Sequence, residues 1–198
     1  MRRGPVGGVL AALLLGVAVL AGCTDSASSH GSSATSASSA FADTSVAACP
    51  KVSDRKASGG QTMPDLRLEC PAGGTLDLGR APGVPTVVNL WASWCPSCRD
   101  ELPLIEQFAA RAGTRIGVVG VVSKDGAPQA SSFAADAGVT FPTAFDGDGT
   151  LMAKLGVTDL PYTYFLDAQG HIAHVQVGAV TSVDELVALA TQYLGVPV

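Results

Sequence analysis

Two cysteines three positions apart, Cys95 and Cys98, are the residues of this chain best suited to chemistry. They stand in "WCPSC", directly after an apolar run and at the head of a segment with helical spacing. Pro96 fits the first position of a helix, where a missing N–H costs nothing, so the helix is expected to begin at Cys95. Free backbone N–H groups and the helix dipole would then favour the thiolate of Cys95, which makes this residue the expected nucleophile.

Cys98 lies one turn further along the same side of that helix, where it can attack a mixed disulfide formed at Cys95. The pair therefore predicts dithiol–disulfide exchange, with Cys95 attacking and Cys98 resolving. Glu101 follows at the edge of an apolar stripe that continues through Ile105 and Phe108. Partial burial would raise the pKa of its carboxyl and allow proton exchange near neutral pH. The simpler alternative is a solvated glutamate on the helix surface.

Metal binding is the first competing use of such a cysteine pair. A structural zinc site commonly takes its four ligands from two CxxC units, or from one CxxC and paired histidines. The chain has no second CxxC. His171 and His174 lie three apart around a predicted strand, which points their side chains to opposite faces. A zinc cluster is therefore not expected.

The elements that must position the cysteines follow from the hydrophobic pattern. Continuous apolar runs, typical of strands buried on both faces, occur in "TVVNLWA" and "RIGVVGVVS". Helical spacing that ends at a glycine occurs in "PSCRDELPLIEQFAARAG" and "PQASSFAADAG". The later segments are "TAFD", a short helix "TLMAKLG", two strands "TYFLD" and "IAHVQVG", and a last helix "SVDELVALATQYL".

A short hairpin is predicted before the first of these strands, because "MPDLRLECPAGGTLDLG" alternates on both sides of a turn. The order β-α-β-α-β-β-α that follows it predicts an α/β fold. In this fold a central mixed sheet is flanked by helices, and the hairpin is an N-terminal extension.

Residues 1–22 predict an export signal. Two arginines precede an apolar run from Val9 to Leu20, and small residues follow it. A retained transmembrane anchor is the alternative, since residues 4–22 come close to the roughly 20 needed to span a bilayer. "LAGC" resembles the bacterial lipobox, which implies that Cys23 is the lipid-carrying first residue of a lipoprotein on the outer face of the cytoplasmic membrane.

Residues 24–45 are rich in Ser and Ala, and their small apolar surface predicts a flexible tether. The folded domain is expected to occupy residues 46–198. The formal net charge is −5, or −7 without the two arginines of the export signal. Without a basic cluster, nucleic-acid binding is excluded. No heptad pattern suggests an oligomer, so a monomer is expected.

The chain has five cysteines, of which four remain if Cys23 carries lipid, and four cysteines allow three pairings. In the simplest scheme Cys95 pairs with Cys98, which leaves Cys49 with Cys70. This second bond is predicted to be structural, worth roughly 2–4 kcal/mol, because it would join the N-terminal segment to the hairpin. A second redox couple is the alternative, although neither residue opens a helix.

The segments "NLWASWCPSCRDELP", "FPTAFD" and "VTDLPYTYFLDAQGHI" are similar to the thioredoxin superfamily. Within it they resemble the TlpA-like and ResA-like membrane-tethered oxidoreductases, the group that includes the DsbE/CcmG reductases of cytochrome c maturation. The resemblance covers about Met63 to Leu194. It implies a thioredoxin-like fold and dithiol–disulfide exchange without a bound cofactor. It also assigns Cys95 and Cys98 as the active pair and Glu101 as the acidic residue beside them.

Pro161 matches the cis-proline that faces the CxxC in this family, although only about 5–6% of X–Pro bonds are cis. The resemblance implies that the backbone of Leu160 pairs with an extended substrate peptide. Trp94, next to the nucleophile, is expected to shield its sulfur and line the substrate site. Asn89 replaces the buried aspartate of cytoplasmic thioredoxin, as in TlpA-like proteins, which shifts the proton role toward Glu101.

The leading hypothesis is a lipid-anchored extracytoplasmic reductase of protein disulfides. Apocytochrome c is the substrate class that the family suggests, and a membrane electron donor of the DsbD/CcdA type would regenerate the dithiol. An oxidant that introduces disulfides into secreted proteins is the alternative, since Pro96 and Ser97 tune the potential of the pair. A peroxidase of the peroxiredoxin type would not keep a CxxC. A copper-binding module similar to the Sco group would need CxxxC and a distant ligand such as His171 or His174.

Overall fold

The computed structural model describes residues 40–41 and 44–198 of the chain. The predicted export signal at residues 1–22, the predicted lipid attachment at Cys23 and most of the predicted tether therefore lie outside the described residues. Over the described ranges, none of the helices has the length and apolar character needed to cross a membrane.

Within residues 40–41 and 44–198, seven strands form one sheet. They are β1 (Arg67–Glu69), β2 (Thr75–Asp77), β3 (Thr86–Trp91), β4 (Gly117–Ser123), β5 (Thr143–Asp146), β6 (Tyr162–Leu166) and β7 (Ile172–Val177). The helices between and after the strands are α1 (Pro96–Ala112), α2 (Ala127–Asp136), α3 (Thr150–Leu155) and α4 (Val183–Leu194).

The strands lie in the order β2-β1-β5-β4-β3-β6-β7. Strand β4 is parallel to β3 and to β5, whereas β6 pairs antiparallel with β3 and with β7. This mixed sheet confirms the predicted α/β class. The N-terminal hairpin is also present, since β1 and β2 pair antiparallel at one edge.

Strand β5 is an element that the predicted order β-α-β-α-β-β-α does not count. It is formed by "TAFD", whose four residues are too few to show a period. It is held from both sides, because β4 pairs with it in parallel and β1 pairs with it antiparallel through Glu69 and Phe145. The hairpin thus extends the main sheet instead of standing apart from it.

Strand β3 and helix α1 bring the cysteines into the core. Every residue of β3 is buried, as its continuous apolar run predicts. Four residues separate the end of this strand from the start of helix α1. The helix therefore starts at the carboxyl edge of the parallel strands, where sites of α/β proteins commonly lie. The buried face of α1 consists of Cys98, Glu101, Leu102, Ile105, Phe108 and Ala112.

The packed part of the chain extends further toward the N-terminus than Val46, where the composition places its start. Phe41 is 2% exposed and belongs to the main core cluster. The carbonyl of Ala40 accepts a hydrogen bond from the hydroxyl of Ser131 on α2. Phe41 and the carbonyl of Ala40 thus attach this point of the Ser- and Ala-rich stretch to the domain.

Candidate active site

Cys95 caps the N-terminus of α1, and Pro96 follows at the start of the helix. The backbone N–H of Cys98 donates to the Sγ atom of Cys95 at 3.1 Å. The two cysteines are joined in a disulfide with their Cα atoms 5.2 Å apart. Cys95 is 3% exposed and Cys98 is 0% exposed. A thiol that approaches from outside therefore meets the sulfur of Cys95 first.

Glu101 lies one turn after Cys98 and is completely buried, not merely at the edge of the apolar stripe. Its Oε1 accepts a hydrogen bond from Asn89 Nδ2 at 2.8 Å, and its Oε2 accepts one from the backbone N–H of Val180 at 3.1 Å. Burial raises the pKa of the Glu101 carboxyl to about 7, and these two hydrogen bonds lower it in part. The carboxyl can therefore take up and release a proton near neutral pH.

Asn89 connects Glu101 to the neighbouring strand. Its Nδ2 also donates to the hydroxyl oxygen of Thr163 at 3.0 Å, and Asn89 and Thr163 are directly paired in the β3–β6 ladder. Neither Thr163 nor Val180 is recognisable as a site residue in the sequence. The only sequence signal for Thr163 is its position two residues after Pro161. This position points to the site only when the register of β6 against β3, which pairs Thr163 with Asn89, is known.

The peptide bond between Leu160 and Pro161 is cis. Pro161 directly precedes β6, whose first residue, Tyr162, pairs with Leu90 near the end of β3. This turn therefore lies at the same edge of the sheet as the segment that leads to Cys95. The carbonyl of Pro161 accepts a hydrogen bond from the backbone N–H of Gly178, which ties the turn to the end of β7.

Trp94 is 53% exposed, although it directly precedes the buried Cys95. Its indole Nε1–H donates to the carbonyl of Lys124 at 2.9 Å. The backbone N–H of Ser93 donates to Asp125 Oδ2 at 2.6 Å. The loop after β4 thus holds both residues before the cysteine and leaves an aromatic surface open beside it.

Cys49 and Cys70 form a second disulfide, with Cα atoms 5.9 Å apart. It connects the N-terminal segment to the hairpin, as expected for the structural pairing. Cys70 follows β1, and two strands separate β1 from β3 in the sheet. Gly74 allows the close approach, since a Cβ atom there would lie 3.1 Å from the carbonyl oxygen of Cys49. This disulfide is not part of the site around Cys95.

The two histidines of the domain lie in separate surroundings. The ring of His174 stacks on Tyr193, with centroids 4.0 Å apart. His171 has its Nδ1 at 3.5 Å from the carboxylate of Asp167. Among the described residues, no three His, Cys, Asp or Glu side chains are grouped so that they could hold a metal ion.

The chain is similar to a known protein family, to named bacterial proteins and to solved structures. The Redoxin family model matches residues 58–190. The thioredoxin-like protein YneN of Bacillus subtilis (strain 168) is 34% identical over 125 residues, which are 62% of this chain and 73% of YneN. The thiol:disulfide interchange protein DsbE of Vibrio cholerae is 35% identical over 126 residues, 62% of this chain and 67% of DsbE. The structure of MTB DsbF in its mixed oxidized and reduced forms is similar with a TM-score of 0.61 and 29% identity, and the match covers 68% of this chain and 99% of DsbF.

These matches confirm the expected resemblance to DsbE-related proteins. The range matched by the family model contains the cysteine pair, Glu101 and Pro161. The chain therefore belongs to the Redoxin family, and it is a thiol:disulfide oxidoreductase with a thioredoxin-like fold.

Proposed function

We propose that the chain exchanges disulfides outside the cytoplasm, with Cys95 as nucleophile, Cys98 as resolving thiol and Glu101 as proton acceptor. One observation carries this proposal. The cysteine at the helix N-terminus is the more accessible of the pair, and the inner cysteine lies one turn from a buried carboxyl that titrates near neutral pH.

In the first step the thiolate of Cys95 attacks one sulfur of a substrate disulfide. The other substrate sulfur leaves as a thiolate and takes a proton from solvent, and a mixed disulfide remains on Cys95. The backbone N–H of Cys98, which lies 3.1 Å from Cys95 Sγ, would stabilise the attacking thiolate together with the helix dipole.

In the second step Cys98 gives its proton to the Glu101 carboxylate and attacks the sulfur of Cys95. The bond from Cys95 to the substrate breaks, and the substrate leaves as its second thiolate. Two electrons have then passed from the protein to the substrate, and Cys95 and Cys98 are joined as in the form described above. Glu101 returns its proton to solvent or to the leaving group.

Substrate binding is assigned to the surface around Cys95. The backbone at half-buried Leu160, which precedes Pro161, would pair with an extended peptide. The exposed ring of Trp94 would cover the apolar side chains of that peptide. The substrates are protein disulfides, in keeping with the likeness to thiol:disulfide interchange proteins. Apocytochrome c is the substrate class that we propose.

The assignment of the two cysteines is tested by trapping. The Cys98→Ser variant should accumulate a mixed disulfide with a disulfide-containing protein substrate, because its second step is blocked. The matched Cys95→Ser variant should accumulate none, since its remaining thiol is buried. Equal trapping by both variants would overturn the assignment.

The direction of exchange is the reducing one, with a membrane donor of the DsbD/CcdA type regenerating the dithiol. Its test is the redox potential of the Cys95–Cys98 couple in a thiol buffer. A potential near or below roughly −270 mV supports a reductase, whereas one near roughly −120 mV identifies an oxidant and rejects the proposed direction.

Lipid on Cys23 would hold the protein at the outer face of the cytoplasmic membrane. The tether between this residue and the domain would let the cysteine pair reach its partners. In cells, the wild-type chain should sediment with membranes. The Cys23→Ser chain cannot carry the lipid, so it should sediment with membranes only if the export signal is retained as an anchor. Mass spectrometry of the mature N-terminus separates these two cases.

A further inference from the structure

Three secondary-structure elements meet at the Glu101 carboxyl. Asn89 comes from β3, Glu101 from α1 and Thr163 from β6, and all three side chains are completely buried. We name this set the buried triad. Among the described side chains, its members are linked by hydrogen bonds from the amide nitrogen of Asn89, which donates to Glu101 Oε1 at 2.8 Å and to Thr163 Oγ1 at 3.0 Å.

The two hydrogen bonds together fix how the Asn89 amide is rotated. An amide nitrogen carries two N–H groups in one plane, so two acceptors determine the direction of both. The amide oxygen contributes nothing to this orientation, because none of the described groups forms a hydrogen bond with Asn89 Oδ1. If the Thr163 hydroxyl were absent, only Glu101 would hold the amide.

We propose that Thr163 is a positioning residue for the redox reaction, whose hydroxyl holds the Asn89 amide so that one N–H points at the Glu101 carboxyl. Thr163 acts through Asn89 and is assigned no contact with the reacting sulfurs. The inference rests on the proposed function, in which Glu101 receives the proton of Cys98.

The surroundings of Glu101 make the pKa of its carboxyl sensitive to the orientation of the Asn89 amide. Three causes set the pKa of its carboxyl: burial raises it, while Asn89 and the backbone N–H of Val180 lower it. No charged side chain of the described chain is among these causes. Cys98 lies on the same buried face of α1, one turn earlier. The orientation of Asn89 is therefore one of only two hydrogen-bonding influences that favour the carboxylate.

Loss of the Thr163 hydroxyl has a definite consequence. One buried N–H of Asn89 would be left unpaired, and the amide would turn to relieve this. Its bond to Glu101 Oε1 would weaken, so the carboxylate would lose stabilisation and the pKa of Glu101 would rise. Less carboxylate would then be present at neutral pH to accept the proton of Cys98. Attack by Cys95 does not use this carboxyl and should be unchanged.

The test is an NMR titration of the Glu101 side-chain carboxyl carbon in the full-length oxidised chain in detergent, with Glu101→Gln to assign the signal. Thr163→Val, which keeps the shape of the side chain, should raise the titration midpoint by about half a pH unit or more, equivalent to an about threefold change in the ionisation ratio. Thr163→Ser keeps the hydroxyl and should titrate as the wild type. If Thr163→Val folds poorly, Thr163→Ala must give the same upward shift.

A matched control comes from another buried threonine of the same sheet, on a strand that pairs with neither β3 nor β6. Thr143 on β5 is completely buried, and its hydroxyl donates to the carbonyl of Phe141 at 3.3 Å. The described hydrogen bonds of the Asn89 side chain go to Glu101 and Thr163 and do not include Thr143. Thr143→Val should lose some stability without moving the Glu101 midpoint. If the titration midpoint of Glu101 is the same in Thr163→Val as in Thr143→Val, the positioning role of Thr163 is rejected.

A second readout separates this inference from the proposed function. The pH dependence of mixed-disulfide resolution should shift upward in Thr163→Val, with KM for the disulfide substrate unchanged. If Glu101→Gln leaves that pH dependence as in the wild type, the proton-acceptor role of Glu101 is wrong and the catalytic meaning of Thr163 is rejected with it. If Glu101→Gln abolishes the pH dependence of resolution and Thr163→Val leaves this pH dependence unchanged, only the inference about Thr163 is wrong.

Discussion

At the scale of single residues, Glu101 combines full burial with two hydrogen-bond donors. Burial disfavours the charged form, and the donors favour it, with burial the larger effect. The balance leaves a carboxyl that changes its charge in the pH range where the buried thiol of Cys98 must lose its proton. A solvated glutamate would stay ionised there and bind the proton too weakly.

The first prediction concerns the second step of the reaction. In Glu101→Gln, resolution of the mixed disulfide should slow by about 10²-fold above neutral pH, because the proton acceptor is missing. Its rate should also lack the rise that is expected of the wild type as pH passes about 7. Rapid quenching of the mixed disulfide on both sides of neutral pH measures both effects.

The control for this variant lies on the same helix. Glu106 accepts the backbone N–H of Thr140 at 2.7 Å, outside the buried site. Glu106→Gln removes an equivalent carboxylate and should keep the wild-type pH dependence. Indistinguishable profiles for the two glutamine variants would count against a proton role for Glu101.

The same carboxyl predicts how stability changes with pH. Its pKa is raised from 4.5 to about 7 on folding, so the folded state binds the proton more tightly than the unfolded state. The resulting stabilisation is complete below about 4.5 and is lost as pH rises through about 7. The Tm of the wild type should therefore fall over this interval relative to that of Glu101→Gln. Calorimetry across the interval tests this, and parallel Tm curves for the two proteins would contradict it.

At the scale of elements, the segment before α4 has two functions. It provides the backbone N–H of Val180 to Glu101, and it starts the helix at Ser182, whose hydroxyl accepts the N–H of Glu185 at 3.1 Å. The side chain of Glu185 in turn accepts the N–H of Thr181 at 2.7 Å. These two hydrogen bonds fix the start of α4 two residues after Val180.

Removal of this helix cap should lower the free energy of unfolding. Ser182→Ala leaves an N–H at the start of α4 unpaired, and we expect a loss of about 1 kcal/mol in the free energy of unfolding. Ser182→Asp keeps an acceptor and should stay close to the wild type. Denaturant unfolding of the three proteins measures the difference. An alanine variant as stable as the aspartate variant would show that the cap contributes nothing.

The elements also show how far sequence reasoning reaches. The continuous apolar run of β3 and the proline after Cys95 are local signals, and they predicted the strand, the helix start and the cysteine pair. Strand β5 was not counted, because four residues carry no period. Thr163 and Val180 were missed because their roles depend on strand register and on the path of the chain before α4. The strand register and the path before α4 are set by the folded domain, and no local sequence pattern encodes them.

At the scale of the whole molecule, the Cys49–Cys70 disulfide fastens the N-terminal segment to the outer hairpin of the sheet. The bridged residues are 21 positions apart, so the bond closes a substantial loop in the unfolded chain. Backbone hydrogen bonds continue this attachment, from Ser53 to Ala81 and from Ile172 to Gln61. The segment after the predicted tether is therefore held along the sheet and across to its far edge.

The double variant Cys49→Ser, Cys70→Ser should lose roughly 2–4 kcal/mol of stability, because its unfolded chain gains the freedom that the bond removes. Its trapping of substrate at Cys95 should remain, since β5 and β4 separate the hairpin from β3. Unfolding without reductant measures the stability, and a mixed-disulfide assay on the Cys98→Ser background measures the chemistry. Unchanged thermal stability would contradict the structural role. Loss of trapping in a variant that still folds would instead mean that this disulfide takes part in exchange.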